Sequence, residues 1–272
     1  MLQTRQPRTR GRLSGPDLTP GERVTTTAHA QPRLVYPTGS LLAVTTSQGT
    51  WMTPPHRAIW IPGGVVQQHQ VHGPAGLRTL PFDPALVTGQ RPEPTVLAVS
   101  GLLRELVLTL TGCAERAGAA RRRLELVTLD ELLQAAEQPL YLPEPADARL
   151  RAAIGPLRTD PASRATLASL GEQAGVSERT LSRLFQAGLG LSFQQWRTQL
   201  RIHHALVLLA GGSTVTETAL GCGWSNPSSF IDAFTQTVGQ TPGSYRAELR
   251  SADWGMTRAQ RSREKPTEVT FS

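Results

Sequence analysis

The hydrophobic residues change their spacing about one third of the way along the chain. Between residues 24 and 90, short apolar runs alternate with turn residues, as in RLVYPTG, LLAVTTSQG, AIWIPGG and LRTLPF. Strands of this length, separated by Pro and Gly with little helical periodicity between them, predict an all-β sandwich or barrel. The front of the chain is therefore predicted to be a β domain.

From residue 95 onward, apolar residues recur at helical spacing instead. One helix is predicted from Leu102, Leu103, Leu106, Val107 and Leu110, and a second from Leu126, Leu129, Leu132 and Leu133. A Pro-rich segment, QPLYLPEPAD (138–147), predicts a domain boundary, and helices joined by short loops follow it. The predicted fold is α+β: a disordered leader (1–20), a β domain (21–95), a helical connector (96–140), an all-α domain (148–250) and a disordered tail (251–272).

The segment TLASLGEQAGVSERTLSRLF (166–185) predicts two helices joined by a tight turn. Gly175 suits the left-handed conformation of such a turn, and Ser177 is a natural N-cap. The second helix carries Leu181, Leu184 and Phe185 on one side, and Arg179, Ser182, Arg183 and Gln186 on the other. This pattern is typical of a helix-turn-helix, whose polar face donates to base edges and phosphates. A solvated amphipathic helix is the alternative.

The pattern is repeated further along the chain, because residues 217–246 match residues 168–197. Gly175 and Ser177 correspond to Gly223 and Ser225 at an offset of 48 residues, and the following apolar positions correspond at an offset of 49. An apolar helical segment, about residues 193–209, separates the two units. Two reading helices on one chain suit neighbouring major-groove segments about 34–36 Å apart, so the repeat favours DNA binding over a generic helical bundle.

Residues 148–246 resemble the DNA-binding domain of the AraC/XylS family of bacterial transcription regulators. WRTQLRIHHALVLLA (196–210) is similar to the family's linker helix, and GWSNPSSFIDAF followed by GQTPGSYR is similar to its second-unit signature. This sequence differs from the family pattern at Asp232, where a basic or neutral polar residue is common. Because of this difference, fewer base contacts are expected from the second unit. The predicted DNA-binding residues are Ser177, Arg179, Thr180, Ser182, Arg183, Gln186, Arg197, Ser225, Asn226, Ser228, Ser229 and Arg246.

The front half, from LVYPTGSLL to QQHQVHG, resembles the cupin-like sensor domain found ahead of such DNA-binding domains. The resemblance implies a β-barrel and an effector site, for which the candidates are His29, Trp51, His56, Trp60 and His69. No metal is expected, because His29 lacks a His two residues away and His69 departs from the cupin spacing after Pro62. For both tryptophans, core packing is favoured over a wall that stacks on a ligand.

Charge and cysteine content agree with a DNA-binding protein of a reducing compartment. The formal net charge is +7, and residues 149–272 hold 14 basic and 9 acidic side chains. A basic surface favours a polyanionic partner. Cys113 and Cys222 are too few for a disulfide framework. No signal peptide is evident, and Arg104 and Glu105 interrupt the most apolar stretch, so no membrane partner is expected.

These observations predict a sequence-specific DNA-binding transcription regulator that responds to a small-molecule effector, and not an enzyme. Its expected partners are double-stranded promoter DNA, RNA polymerase, the effector and a second copy of itself, in the cytoplasm at the bacterial nucleoid; no cofactor is expected. Leu102, Leu106 and Leu110 would form a dimer seam or pack against their own β domain. A metal-dependent cupin enzyme with a DNA-binding appendage is the alternative function.

Overall fold

The computed structural model describes residues 23–26, 28–73, 76–87, 91–112 and 118–250. The leader (1–20), the tail (251–272) and Cys113, for which predictions were made above, lie outside these residues. Within them, antiparallel sheets come first and helices follow, so the mixed helix-and-sheet class predicted from the sequence is confirmed.

Nine strands of the described residues form two antiparallel sheets. The five-stranded sheet has the order β1-β6-β3-β4-β9, and the four-stranded sheet has the order β7-β2-β5-β8. The strands are β1 (Arg23–Thr26), β2 (Arg33–Thr38), β3 (Leu41–Thr45), β4 (Gly49–Thr53), β5 (Arg57–Ile61), β6 (Gln67–His72), β7 (Gly76–Pro81), β8 (Thr95–Ala98) and β9 (Tyr141–Pro143). A short 3₁₀ turn, Pro84–Leu86, follows β7.

The two sheets face each other across a shared apolar cluster, to which both contribute buried side chains such as Val44, Val71, Ile59 and Val96. In the described part of the chain no strand of one sheet pairs with a strand of the other, so the sheets do not close into one hydrogen-bonded barrel. The predicted closed barrel is therefore corrected to two stacked sheets, because alternating strand patterns do not specify which edges pair.

The Pro-rich segment predicted as a connector belongs to the sheets up to Pro143. The amide of Gln138 donates to the Val96 carbonyl in β8, and the amide of Met52 in β4 donates to the Leu140 carbonyl. The chain then continues as β9 along the edge of the five-stranded sheet. An edge strand tolerates proline, since one side of its backbone needs no partner.

Two helices, α1 (Gly101–Gly112) and α2 (Ala119–Gln134), cover the outer face of the four-stranded sheet. Leu103, Val107 and Leu110 of α1 pack with Leu129 and Leu132 of α2 against that face. Leu110 is 1% exposed and Leu106 is 6% exposed, whereas Leu102 is 54% exposed. Of the predicted seam, only Leu102 faces outward.

Six further helices and a last helical stretch, residues 242–250, complete the described chain. The helices are α3 (Ala148–Thr159), α4 (Leu167–Gln173), α5 (Glu178–Leu189), α6 (Phe193–Ala210), α7 (Val215–Gly221) and α8 (Pro227–Val238). Each begins at a residue whose side chain accepts a hydrogen bond from a backbone amide of the first turn. These capping residues are Asp147, Thr166, Ser177, Ser192, Thr214 and Asn226 respectively. None of the helices in these residues has the length and hydropathy needed to cross a membrane.

Helix α6 is the central element, because its two halves belong to different cores. Trp196 and Leu200 in its first half pack with α3, α4 and α5. Ala205, Leu206 and Leu209 in its second half pack with α7, α8 and the five-stranded sheet. Each fully buried Leu or Trp contributes about 1.5–3 kcal/mol. The sheets and the second helix pair therefore share one hydrophobic core through α6.

Candidate nucleic-acid interface

The turn between α4 and α5, the first helix pair, depends on two glycines. Gly175 has φ +68°, the left-handed conformation that the turn requires. Gly171 lies where a Cβ would approach the Val176 carbonyl oxygen to 2.6 Å, and the Val176 amide donates to the Gly171 carbonyl at 2.9 Å. This close approach sets the direction in which α5 leaves the turn.

Helix α5 separates a buried face from a polar one. Leu181 and Phe185 are fully buried, and the Phe185 ring lies 5.7 Å from the ring of Trp196 in α6. The opposite side exposes four polar side chains, which are Arg179, Ser182, Arg183 and Gln186. In the described part of the chain, neither arginine forms an ion pair. The outer face of α5 thus presents two guanidinium groups that are free to bind a phosphate or a base edge.

The hydroxyl groups at the start of α5 cap the helix. Ser177 Oγ accepts from the Thr180 amide at 3.2 Å and lies 2.9 Å from the Thr180 hydroxyl. Ser177 is exposed and Thr180 is half-buried, so both predicted DNA-contacting residues lie at the rim of the polar face. The cap fixes the first turn of α5, and with it the position of Arg179.

The second helix pair, α7 and α8, has the same plan with a different charge. Gly223 has φ +76° at the turn, and Asn226 caps α8 by accepting from the Ser228 amide at 2.9 Å. Phe230 and Phe234 are fully buried. The exposed positions include the predicted Ser225, Asn226, Ser228 and Ser229, together with Asp232. Within the described residues Asp232 has no ion-pair partner, so α8 presents a carboxylate and hydroxyls where α5 presents guanidinium groups.

Two predicted DNA-binding arginines bind the protein's own backbone instead of extending outward. Arg197 donates to the carbonyls of Ala165 and Ser163, and burial lowers its pKa. Arg246 donates weakly to the Gly212 carbonyl, at 3.4 Å, beside a cavity of about 180 Å³. Both arginines were predicted to bind DNA from their position in the repeat. Sequence spacing does not distinguish an arginine that faces the DNA groove from one that donates to loop carbonyls.

The candidate effector residues are only partly brought together. His69 is 8% exposed and shares a face with Trp51, because both are cross-strand partners of Val44. This face of the five-stranded sheet is the one directed towards the four-stranded sheet. The pKa of His69 is lowered to about 4, first by burial and then by the positive charge of Arg33, with a smaller effect of His29. His69 is therefore neutral at pH 7, and its Nε2 atom has no partner among the described residues.

The other three candidates are placed differently. His29 is exposed, and its backbone carbonyl accepts from the Gly64 amide at 2.8 Å. Trp60 packs against Phe82 on the outer face of the four-stranded sheet, and its indole N–H donates to the Arg91 carbonyl at 3.2 Å. His56 is exposed in the turn before β5, with φ +59°. Trp51 itself stacks on Tyr141 with ring centroids 4.5 Å apart. The packing of both tryptophans agrees with the preference for core packing stated above.

A cavity of about 600 Å³ opens at the rim of the two sheets. One residue that lines it was not among the effector candidates predicted from the sequence. Gln67 lines this cavity, is 2% exposed, and its Oε1 atom has no partner in the described part of the chain. The alternation in QQHQVH places Gln67, His69 and Val71 on one face, which is the signal that would have found it. No group of three or more metal-ligating side chains is present among the described residues.

Comparison with known proteins matches both the helical region and the chain as a whole. The profile of a helix-turn-helix domain family matches residues 170–248. The HTH-type transcriptional regulator NimR of Escherichia coli K12 is 38% identical over 229 residues, which cover 81% of this chain and 81% of NimR. The HTH-type transcriptional regulator RipA of Corynebacterium glutamicum is 36% identical over 103 residues, which cover 38% of this chain and 31% of RipA.

Among solved structures, an AraC-type DNA-binding-domain regulator from Chromobacterium violaceum is 25% identical, with a TM-score of 0.36. The match covers 37% of this chain and 91% of that one. The sequence similarity to NimR thus extends well beyond the helix-turn-helix region.

Proposed function

Because the chain belongs to the AraC-type family of helix-turn-helix transcriptional regulators, we propose that it binds promoter DNA through two helix-turn-helix units joined by α6. The first unit is α4–α5 and the second is α7–α8. The chain is a DNA-binding regulator and not an enzyme, as its relatives are named. In this proposal α5 and α8 enter neighbouring segments of the major groove, at the nucleoid of a bacterial cell.

The observation that carries this proposal is the polar face of α5. Arg179 and Arg183 are exposed on the side opposite Leu181 and Phe185, without an internal ion pair among the described residues. Arginine binds guanine or phosphate in a bidentate manner. Since α8 offers hydroxyls and Asp232 instead, the first unit supplies most base reading, and Ser225, Asn226, Ser228 and Ser229 supply the fewer base contacts of the second unit.

We also propose that a small-molecule effector binds at the rim and interior of the two sheets. The cavity of about 600 Å³ is large enough for a metabolite-sized molecule. Gln67 offers an unpartnered carbonyl oxygen, and Arg33 offers positive charge beside the neutral His69. A ligand with a hydrogen-bond donor for Gln67, in the cavity lining, and an acceptor or anionic group for Arg33, in the interior, suits these side chains. Its binding would reach the DNA-binding half through the core that the five-stranded sheet shares with α6.

The proposed dimer contact lies on α1 and α2. Leu102, Leu126, Val127 and Leu133 are 54%, 44%, 42% and 56% exposed, and all four lie on these two helices. Exposed apolar side chains concentrated on adjacent elements mark an interaction site. A second copy of the chain, covering this surface, would place two DNA-binding halves on one promoter, where RNA polymerase is the further proposed partner.

The test is binding to the regulator's own sites, which are found by genome-wide mapping of the full-length protein. Arg183→Ala should weaken binding to a mapped site by about 5- to 150-fold at moderate salt, because a charge-assisted contact to a base or phosphate is worth about 1–3 kcal/mol. Arg149→Ala is the matched control, since Arg149 is an exposed arginine of α3 that lies outside both helix pairs and outside the α1–α2 surface. Equal affinities of the two variants would exclude α5 as the reading helix.

A further inference from the structure

The loop before α4, residues 160–165, lies directly against the turn of the second helix pair. A Cβ at position 223 would lie 2.7 Å from the carbonyl oxygen of Ala162 and 2.8 Å from its Cα. Backbone atoms this close to each other leave room for glycine alone. The first and second helix pairs are therefore in contact here, in addition to being joined through α6.

Arg201 of α6 binds both sides of this contact. Its Nε donates to the Pro161 carbonyl at 3.0 Å, and its Nη2 donates to the Ser163 carbonyl at 3.3 Å. Its guanidinium carbon also lies 5.5 Å from the centre of the Trp224 ring, which is next to Gly223 in the second turn. One planar group thus donates to the loop of the first unit and lies over an aromatic ring of the second, at the distance of a cation–π contact. We call loop 160–165, Arg201, Gly223 and Trp224 the joint.

The joint is connected rigidly to both units. On the first side, loop 160–165 leads straight into Thr166, which caps α4, and the Ala165 carbonyl accepts from Arg197 at 3.0 Å. On the second side, the Trp224 ring packs against Phe230 of α8, with centroids 5.2 Å apart. A displacement of α8 relative to α4 and α5 would break these contacts together.

We propose that the joint fixes the separation and relative rotation of α5 and α8, and that Arg201 thereby determines which half-site spacing the regulator accepts. The inference rests on the proposed function of the two helix pairs. Inserting one base pair between two half-sites moves them apart by about 3.4 Å and rotates them by about 34–36°. A pair of units held by the joint cannot follow that change, whereas a pair held by α6 alone can bend to follow it.

Arg201→Lys is the discriminating variant, because lysine keeps the charge but lacks the planar fork that donates to two carbonyls while it lies over the Trp224 ring. Arg151→Lys is its matched control, since Arg151 also binds two backbone carbonyls, of Pro145 and Ala146, at a place outside the joint. Gly223→Ala is a second variant that disturbs the joint from the other side. Its matched control is Gly175→Ala, which has a similar φ of +68° and no atom within 4 Å of the added Cβ.

The experiment uses full-length protein and its operator, obtained by selection from random DNA. Affinity is measured for the selected operator, for the same operator with one base pair inserted between the half-sites, and for each half-site alone. The wild type, Arg151→Lys and Gly175→Ala should lose about tenfold or more in affinity on insertion, which is the effect of one good base contact. Arg201→Lys and Gly223→Ala should lose less than about threefold in affinity when the base pair is inserted. Their affinities for single half-sites should equal those of their controls.

The proposal is overturned if Arg201→Lys and Gly223→Ala keep the wild-type loss on insertion, or if they lower affinity for single half-sites and spaced operators by the same factor. Selection of a single, undivided half-site by the wild type would also overturn it, while leaving DNA binding by α5 intact. Failure of the wild type to select any sequence would overturn the proposed function itself. Thermal melting of each variant shows that the proteins compared are folded.

Discussion

Gly223 and Gly175 occupy equivalent turns of the two helix pairs, and replacing each by alanine should have unequal effects on stability. Both have left-handed backbones, with φ +76° and φ +68°. In that conformation any Cβ costs about 1–2 kcal/mol. At Gly175 nothing lies within 4 Å of the new methyl group, so the backbone term is the whole cost.

At Gly223 the same methyl group would meet Ala162 at 2.7–2.8 Å, about 1 Å inside ordinary van der Waals contact. Both Ala162 atoms belong to the backbone, so the loop must move, and Arg201 Nη2, at 2.9 Å from the new methyl group, must move as well. Forcing an extra methyl group into a packed region costs about 1–3 kcal/mol. Gly223→Ala should therefore destabilise the protein by about 2–5 kcal/mol in total, against about 1–2 kcal/mol for Gly175→Ala.

Thermal unfolding followed by circular dichroism measures this difference. For a domain of 150–250 residues, 1 kcal/mol lowers Tm by about 2–4 °C, so the Gly223→Ala variant should melt about 2–12 °C below the Gly175→Ala variant. Equal melting temperatures would refute the reasoning, because they would mean that loop 160–165 does not lie against the second turn.

Three further results are expected. His203 should contribute about 2 kcal/mol to a fall in unfolding free energy between pH 7.5 and pH 5, because burial lowers its pKa to about 3 and protons bind first to the unfolded chain below about pH 6.5; His69, with a pKa lowered to about 4, should contribute a similar amount. His203→Met should reduce the fall by about 2 kcal/mol, and an unchanged slope would contradict the assignment. Leu133→Glu should shift the protein from dimer to monomer in analytical ultracentrifugation, whereas Leu220→Glu, at an equally exposed leucine of α7, should not; equal behaviour of both variants would exclude the α1–α2 surface. Ser177→Ala should cost about 1 kcal/mol of stability through loss of the α5 cap, while Ser182→Ala on the exposed face should cost less than half of that, as urea denaturation would show.

The helical half of the protein was largely predictable because its signals are local. The Ser177 cap, the left-handed Gly175 and the apolar positions Leu181 and Phe185 each act within a few residues, and the structure has them as the sequence indicated. The segment predicted as a second helix-turn-helix unit also forms two helices, α7 and α8, with Gly223 at the turn between them.

The β half was less predictable, because sheet pairing and facing are non-local. Alternation predicted strands, but not that Trp51 faces the other sheet while Trp60 faces α1 and α2. Pro143 made its segment resemble a linker, although an edge strand accepts proline. Gln67 was overlooked because a lone glutamine carries no motif, and its burial depends on residues far away in the sequence.

Arg197 and Arg201 show the same limit within the helical half. Both lie on α6 one turn apart, and both donate to carbonyls of loop 160–165. Nothing in the spacing of residues 196–210 indicates that partner, since the loop is more than thirty residues away. Sequence periodicity identified the faces of the helix, whereas the contacts of those faces required the three-dimensional arrangement.

The central claim is that α5 reads one half of a divided operator, and the most direct test is selection of binding sites from random DNA. Full-length wild type and an Arg179→Ala, Arg183→Ala double variant are selected in parallel at the same salt concentration. We expect the wild type to select two half-sites and the variant to lose base preference in one of them while keeping it in the other. An unchanged motif, or an equal loss of preference in both half-sites, would contradict it.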